Sequence, residues 1–337
     1  MNSRRDFLKQ AGVVGVGMGF AMAAIDASAD LPHKGKHAML NNTKLLSIKH
    51  ADGSESLGAV VDGGVIDLRA TAKELGLQTS STIDELLRSG DADGVARIVA
   101  GAKVSGVPLL AESAIVHGRL FANPGKIICV GLNYRQHAKE IGMPEPRVPP
   151  LFNKFNNALA SHQCVITLPP KEISTKFDYE TELLIVIGKA CRNVTEADAL
   201  DYVAGYCTSN DFSARDLQLE LPAGQWMIGK TLDNFAPIGP YFVSADLVGD
   251  PNKLKLETRV NGELRQSSNT ADFIFNTQQI VAYISKHWKL EAGDIIFTGT
   301  PQGVIAGKPK DRQVWLRAGD EVVSSIEKLG ELKFRLA

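Results

Sequence analysis

The chain has 337 residues, 44% of them hydrophobic and 22% charged, with 37 Lys+Arg against 38 Asp+Glu and a formal net charge of -1. This is ordinary globular composition; without a basic surplus there is no electrostatic case for a nucleic-acid partner, because phosphate binding works through clustered cations and counterion release. The apolar fraction excludes a disordered chain, and the length suits one large domain or two.

The first residues read as a targeting segment. Ser3-Arg4-Arg5-Asp6-Phe7-Leu8-Lys9 precedes an uncharged run from Ala11 to Ile25, followed by Ala27-Ser28-Ala29. A charged start, an apolar stretch too short to cross about 30 Å of hydrocarbon and a small-x-small site are the three parts of an export signal. The paired arginines, one residue before Phe-Leu-Lys, resemble twin-arginine signals. The expectation is therefore export by the twin-arginine translocase, cleavage after Ala29, and a soluble periplasmic protein with no stable membrane anchor. Cys129, Cys164, Cys191 and Cys207 form no CxxC pair or zinc spacing. Buried free thiols are expected, with a Cys164 to Cys191 disulfide as the alternative in an oxidising compartment.

Residues 30–120 read as a small β-rich unit and linker. Strands are expected at Leu45 to His50, Leu57 to Val61 and Val65 to Leu68, with turns at Asp52-Gly53 and Asp62-Gly63-Gly64. Thr82 to Ala100 carries helical spacing interrupted around Gly90, and Gly101 to Leu120 reads as a connection. A larger block spans 121–337 and opens with a strand at Lys126 to Gly131. Thr195 with Asp198 reads as a capping box opening a helix to about Val203, Asn261-Gly262 as a tight hairpin, and Thr270 to Trp288 as one helix. No Rossmann or P-loop glycine pattern occurs.

Three segments carry chemistry. In Asp178-Tyr179-Glu180-Thr181-Glu182, which runs into Leu183-Leu184-Ile185-Val186-Ile187, residues two apart share a strand face, so Glu180 and Glu182 project side by side. Paired carboxylates repel unless a cation or shared proton relieves them, and oxygen ligands without His or Cys point to Mg²⁺, Mn²⁺ or Ca²⁺. Taken alone, the pair fits a solvent-facing strand better, since strand faces are commonly polar. Asp211, after the strand-like run Val203 to Thr208, reads as a third carboxylate or as a turn cap, while Asp216 beside Arg215 reads as structural. In Asn133-Tyr134-Arg135-Gln136-His137-Ala138-Lys139-Glu140, His137 and Glu140 lie on one face of a helix. A carboxylate on one imidazole nitrogen orients the ring and leaves the other nitrogen basic; an exposed polar face is the alternative. The six other histidines show no comparable partner pattern and read as surface or packing residues.

Together with Trp226-Met227-Ile228-Gly229-Lys230-Thr231, Pro237-Ile238-Gly239-Pro240 and Thr298-Gly299-Thr300-Pro301-Gln302-Gly303-Val304, these segments closely resemble the fumarylacetoacetate hydrolase superfamily over roughly residues 121–337. The resemblance implies an α+β fold, mainly β with some α, in which a mixed β-sandwich or β-roll catalytic domain follows the small N-terminal unit. It implies a homodimer using Mg²⁺ or Mn²⁺ on 2-oxo or β-diketo acids. By position it implies Glu180, Glu182 and Asp211 as metal ligands, and His137 with Glu140 as the catalytic pair on a segment that can act as a lid. Lys230 is implied as an active-site lysine, and Gln218, Thr300, Tyr134 and Arg135 as substrate contacts. The leading expectation is hydrolysis of a carbon–carbon bond in an acylpyruvate-like β-diketo acid, with His137 activating water. The alternatives are tautomerisation, isomerisation or decarboxylation of a 2-oxo diacid on the same site, or a non-catalytic 2-oxo acid binder. Specificity for the substrate tail is expected from 135–150, 171–176 and 219–225.

Overall fold

The computed structural model describes residues 39–222 and 224–337. The expected export signal 1–29 with its cleavage site, and also His33 and His37, lie outside the described residues. Strands β1 (Lys44–Lys49), β2 (Glu55–Val61) and β3 (Gly64–Asp67) form an antiparallel meander through the two expected turns. Helices α1 (Leu68–Glu74), α2 (Ile83–Ser89) and α3 (Ala92–Ser105) follow. Gly90 splits the helical spacing, closing α2 as a left-handed cap at φ 69°. The helix α3 runs past Ala100 into the expected connection, because Ala102 continues the buried stripe of Val95 and Ile98.

The remaining elements are β4 (Ile127–Val130), α4 (Arg135–Glu140), β5 (Leu151–Asn153), β6 (Leu159–Ala160), β7 (Cys164–Ile166), β8 (Phe177–Asp178), β9 (Thr181–Ile187), β10 (Val203–Asn210) and β11 (Ser213–Ala214). After them come α5 (Trp226–Lys230), β12 (Ala236–Ser244), α6 (Ala245–Val248), β13 (Lys255–Val260), β14 (Glu263–Asn269), α7 (Thr277–His287), β15 (Ile295–Phe297), β16 (Glu321–Ile326) and β17 (Gly330–Leu336). A ten-stranded mixed sheet has the order β3-β2-β1-β12-β10-β9-β15-β4-β5, with β6 beside β12. Pairing of β1 with β12, Lys44 opposite Val243, makes the N-terminal strands an extension of this sheet. A second sheet runs β14-β13-β16-β17-β7, and β8 pairs with β11. The fold is mainly β with some α, as expected.

Strand β9 explains why its sequence is an unbroken apolar run. Leu184 and Val186 enter one core with Cys207, Phe242 and Phe297, whereas Leu183, Ile185 and Ile187 enter another with Tyr206, Ile280 and Ile284. Both faces of the sheet are covered, so alternation with polar residues is not available to it. Where β9 begins, Thr181 Oγ1 lies 2.5 Å from Thr258 Oγ1 and 2.6 Å from Ser324 Oγ, tying the large sheet to the five-stranded one.

Two expectations need correction. Thr195 Oγ1 accepts from the Asp198 amide at 3.3 Å and donates to Asp198 Oδ2 at 2.7 Å, but the chain makes only a 3-10 turn at Ala199–Tyr202 before β10 claims Val203. Thr270 to Trp288 is not one helix: a 3-10 turn at Thr270–Asp272 is followed by extended chain, and α7 starts only after Asn276 and Gln279 form a capping box. The expectation of free thiols holds for all four cysteines, although Cys164 is only half-buried; Cys191 pairs its backbone with Leu290, while Cys164 lies on β7 beside Phe334. Asn261 and Gly262 take the expected hairpin, both with positive φ, at 51° and 83°.

Candidate active site

The end of β10 and the start of β9 are joined by register, with Asn210 opposite Thr181. This brings together ligand atoms of Glu180, Glu182 and Asp211, all buried and all within 4.8 Å of one another. Asn210 Oδ1 accepts from the Glu180 amide at 3.1 Å, and the Asp211 amide donates to the Glu180 carbonyl at 2.9 Å. The three side chains are therefore held from their own backbones rather than by rotamer preference alone.

Three buried cations stand among them. Lys230, at the end of α5, donates from Nζ to Glu180 Oε2 at 2.6 Å and to Asp211 Oδ2 at 2.7 Å. Arg215 reaches Glu180 Oε1 at 2.7 Å and Asp178 Oδ2 at 2.8 Å, and donates to Gln218 Oε1 at 2.8 Å. Lys154 Nζ lies 2.6 Å from Asp211 Oδ1, outside hydrogen-bonding geometry, and donates to the carbonyls of Phe212 at 3.3 Å, Phe235 at 2.8 Å and Lys230. Burial alone would raise the Glu180 carboxyl, but the Lys230 and Arg215 charges outweigh it and hold the pKa at about 2. For Lys230, burial would lower the ammonium, and the Asp211 and Glu180 carboxylates overcome it and raise its pKa.

Glu182 differs from its neighbours. Its Oε2 accepts from the Gly299 amide at 2.7 Å, and no cation forms an ion pair with it among the described residues. Burial, then the charges of Asp211 and Glu180, push its carboxyl well above the usual range. By formal count four buried carboxylates, Asp178 included, face three cations, and Glu182 is the one without a cation of its own. The hydroxyl of Tyr134 is buried without a partner, and Glu182 is among the charges acting on it. An all-oxygen donor set in which one carboxyl has no cation of its own fits a hard divalent cation, for which Glu180, Glu182 and Asp211 would be the ligands.

The helix α4 carries the second group. His137 Nδ1 lies 3.0 Å from Glu140 Oε2, and Glu140 Oε1 accepts from the Gly303 amide at 2.9 Å. Both carboxylate oxygens are engaged, so Glu140 orients the ring and Nε2 is the free imidazole nitrogen. One loop, Thr298 to Gly303, therefore holds Glu182 through Gly299 and Glu140 through Gly303, amides no more than roughly 14 Å apart along an extended chain. Both positions require glycine: φ is 95° and 99°, and a Cβ would stand 2.7 Å from Asn133 Cβ and 2.3 Å from the Arg265 carbonyl oxygen respectively. Within the same loop Thr300 Oγ1 donates to the Thr181 carbonyl at 3.1 Å and accepts from Gln266 Nε2 at 2.9 Å.

Of the residues expected at the site, Glu180, Glu182, Asp211, Lys230 and Gln218 share one network, Thr300 borders it, and His137 pairs with Glu140. Tyr134 is fully buried, packing edge-on against Phe273 at 4.8 Å. Arg135 donates to the carbonyls of Asp272 at 3.3 Å and of Phe273. Asp216 is structural, as expected, accepting from Ser174 Oγ at 2.6 Å and the Thr175 amide at 2.8 Å. Sequence reasoning missed Lys154, Arg215, Gln266 and Asn133. Asn133 is fully buried and binds Thr298 O at 2.8 Å and Phe275 O at 3.0 Å, joining the start of α4 to the Thr298 loop. No local pattern marks these four; the available signal is that buried carboxylates demand cations, which leaves open which ones.

The Fumarylacetoacetate (FAA) hydrolase C-terminal family matches residues 126–337. The chain is 42% identical over 269 residues to a mitochondrial oxaloacetate tautomerase of Bos taurus, covering 80% of this chain and 82% of that protein. Among solved structures, fumarylacetoacetate hydrolase from Exiguobacterium antarcticum is 31% identical with a TM-score of 0.69, covering 87% and 99% of the two chains. Fumarylpyruvate hydrolase from Pseudomonas aeruginosa, in complex with Mn²⁺ and pyruvate, is 33% identical with a TM-score of 0.57, covering 63% and 89%.

Proposed function

The chain belongs to the fumarylacetoacetate hydrolase family, and on that premise we propose that it interconverts the keto and enol forms of a short 2-oxo diacid such as oxaloacetate. The observation that carries this reading is the chain His137–Glu140–Gly303, which leaves His137 Nε2 as a single oriented proton carrier. The relative named for oxaloacetate tautomerisation supports it. When bound to Glu180, Glu182 and Asp211, Mg²⁺ or Mn²⁺ would act as a Lewis acid toward the 2-oxo and carboxylate oxygens.

The protein's own residues do the rest. His137 Nε2 takes a proton from C3, the C3–H electron pair becomes the C2–C3 double bond, and the 2-oxo oxygen gains the charge and then a proton. Glu140 stabilises the imidazolium formed on the way and holds the tautomer whose Nε2 is basic. Lys230 and Arg215 keep Glu180 ionised, so this ligand need not lose a proton when a cation arrives, and Lys154 and Lys230 lie against Asp211. Arg215 also holds Gln218 beside this network.

Hydrolysis of an acylpyruvate is the second reading, favoured by the likeness to fumarylpyruvate hydrolase. It would use the same nitrogen to deprotonate water. The deciding measurement is ¹H NMR of the Mn²⁺- or Mg²⁺-loaded protein with oxaloacetate and with acylpyruvates in ¹⁸O water. Metal-dependent acceleration of keto–enol exchange, without cleavage, is expected. Pyruvate release with ¹⁸O in the carboxylic acid product, and no effect on oxaloacetate, would replace tautomerisation by hydrolysis. Tight 2-oxo acid binding without turnover of either would leave only a binder.

A further inference from the structure

The helix α4 has an uncapped start of its own. Tyr134 stands at the N-cap position, and its side chain makes no capping bond. The first amides of a helix have no partner within it, and a carboxylate beside them also gains from the helix dipole. Here the acceptor comes from 136 residues further along the chain: Asp272 Oδ2 takes the Gln136 amide at 3.0 Å.

Several contacts bring Asp272 to this place. Asn269 caps the short turn that carries it, through the Ala271 amide at 2.9 Å. The following chain is extended and runs against the start of α4, with Tyr134 and Phe273 in an antiparallel bridge and their rings 4.8 Å apart. The Ile274 amide donates to the Asn133 carbonyl at 2.8 Å, and the Phe275 amide to Asn133 Oδ1 at 2.8 Å. Arg135 closes the contact from the other side on the carbonyls of Asp272 and Phe273. The break in the expected helix Thr270 to Trp288 is thus occupied in docking α4.

We propose that Asp272 is a positioning residue: it supplies the N-cap of α4 from outside the helix and so sets where His137 stands. The helix is then latched at two ends, by Asp272 at the Gln136 amide and by Gly303 at Glu140. Loss of either latch lets six residues, too few to be stable alone, move relative to the carboxylate cluster. Asp272 touches no reacting atom in this scheme.

The kinetic arm of the test rests on the tautomerase reading; the exchange arm does not. Asp272→Ala and Asp272→Asn are made in the full chain loaded with Mn²⁺, and amide hydrogen exchange over residues 134–142 is followed beside oxaloacetate kinetics. The alanine variant is expected to speed exchange in this segment by roughly five- to tenfold, the factor for one lost cap. It should lower kcat by a similar factor, with KM and Mn²⁺ affinity changed less than about twofold. Asparagine, whose side-chain oxygen accepts the same bond, should restore both. Should the alanine variant not fold, Asp272→Ser, polar but too short to reach the Gln136 amide, gives the same readouts. Unchanged exchange in the alanine or serine variant, or an asparagine variant as loose as alanine, overturns the proposal. If wild-type protein proves inactive on oxaloacetate, the tautomerase reading falls while the exchange result still decides the role of Asp272.

Discussion

The carboxylate cluster and helix α4 contribute to the same proposed chemistry but are held in place in contrasting ways. The cluster sits where two buried strands meet, and three cations from distant parts of the chain cross-link it within 2.6–2.8 Å. Helix α4 is six residues long with one fully buried side chain, Ala138, and it is held by bonds at its ends. The cluster must not reorganise when a doubly charged ion binds, because preorganised charge is what makes such a site effective. The proposed proton carrier has a different requirement: it would have to reach a substrate that enters and leaves, and segments that move are drawn from the less stable parts of a fold.

The largest expected effect comes from breaking the cluster. Asp211→Ala leaves two buried ammoniums, Lys154 and Lys230, without a shared partner, and removing one side of a buried ion pair costs about 3–5 kcal/mol. Denaturant unfolding should show that loss, and calorimetry should show no Mn²⁺ uptake. A variant that keeps both its stability and its metal would mean the cluster is not the cross-linked unit described above.

A smaller effect on stability, but a large one on turnover, is expected from the helix. His137→Ala should lower kcat on the order of 10²- to 10⁴-fold, while the free energy of unfolding falls by about 1 kcal/mol, as for one lost side-chain hydrogen bond. Destabilisation comparable to that of Asp211→Ala would erase the contrast between the two regions.

The effect that is smallest at neutral pH belongs to neither region and grows only on acidification. Burial, then the neighbouring His117 ring and Lys333, depress the pKa of His162 from 6.5 to about 3. Its ring stacks edge-on with His117 at 4.5 Å, and its Nδ1 accepts the Lys333 amide at 3.1 Å. As pH falls from 6.5 toward 3 the unfolded chain takes up a proton that folded His162 refuses, so stability declines across that window. His162→Gln, which can still accept from Lys333, should flatten this slope in unfolding midpoints measured between those pH values. An unchanged slope would assign acid sensitivity to other groups.

Much of this was legible in the amino-acid order, and the misses have a common origin. Strand alternation put Glu180 and Glu182 together, three-residue helical spacing put His137 by Glu140, and the Asn-Gly pair marked its hairpin; each is a consequence of local geometry. The single helix expected over Thr270 to Trp288 failed because Ile274 and Phe275 donate their amides to Asn133, while Phe273 closes a 3-10 turn on Thr270 and bridges to Tyr134. The capping pair Thr195 and Asp198 formed without its helix because β10 took up the chain at Val203.

The sequence by itself determined the mainly β fold, the family and the oxygen donors of the carboxylate cluster, since those depend on residue type and short spacing. Tertiary structure alone decided which cations balance the carboxylates and what holds α4. Lys154 and Lys230 lie 57 and 19 positions from Asp211, Arg215 lies 35 from Glu180, and Asp272 lies 136 from the amide it caps. Burial creates the demand for a partner wherever a charge or an amide is taken out of water. The sequence shows that demand, but only the folded chain shows which distant residue meets it.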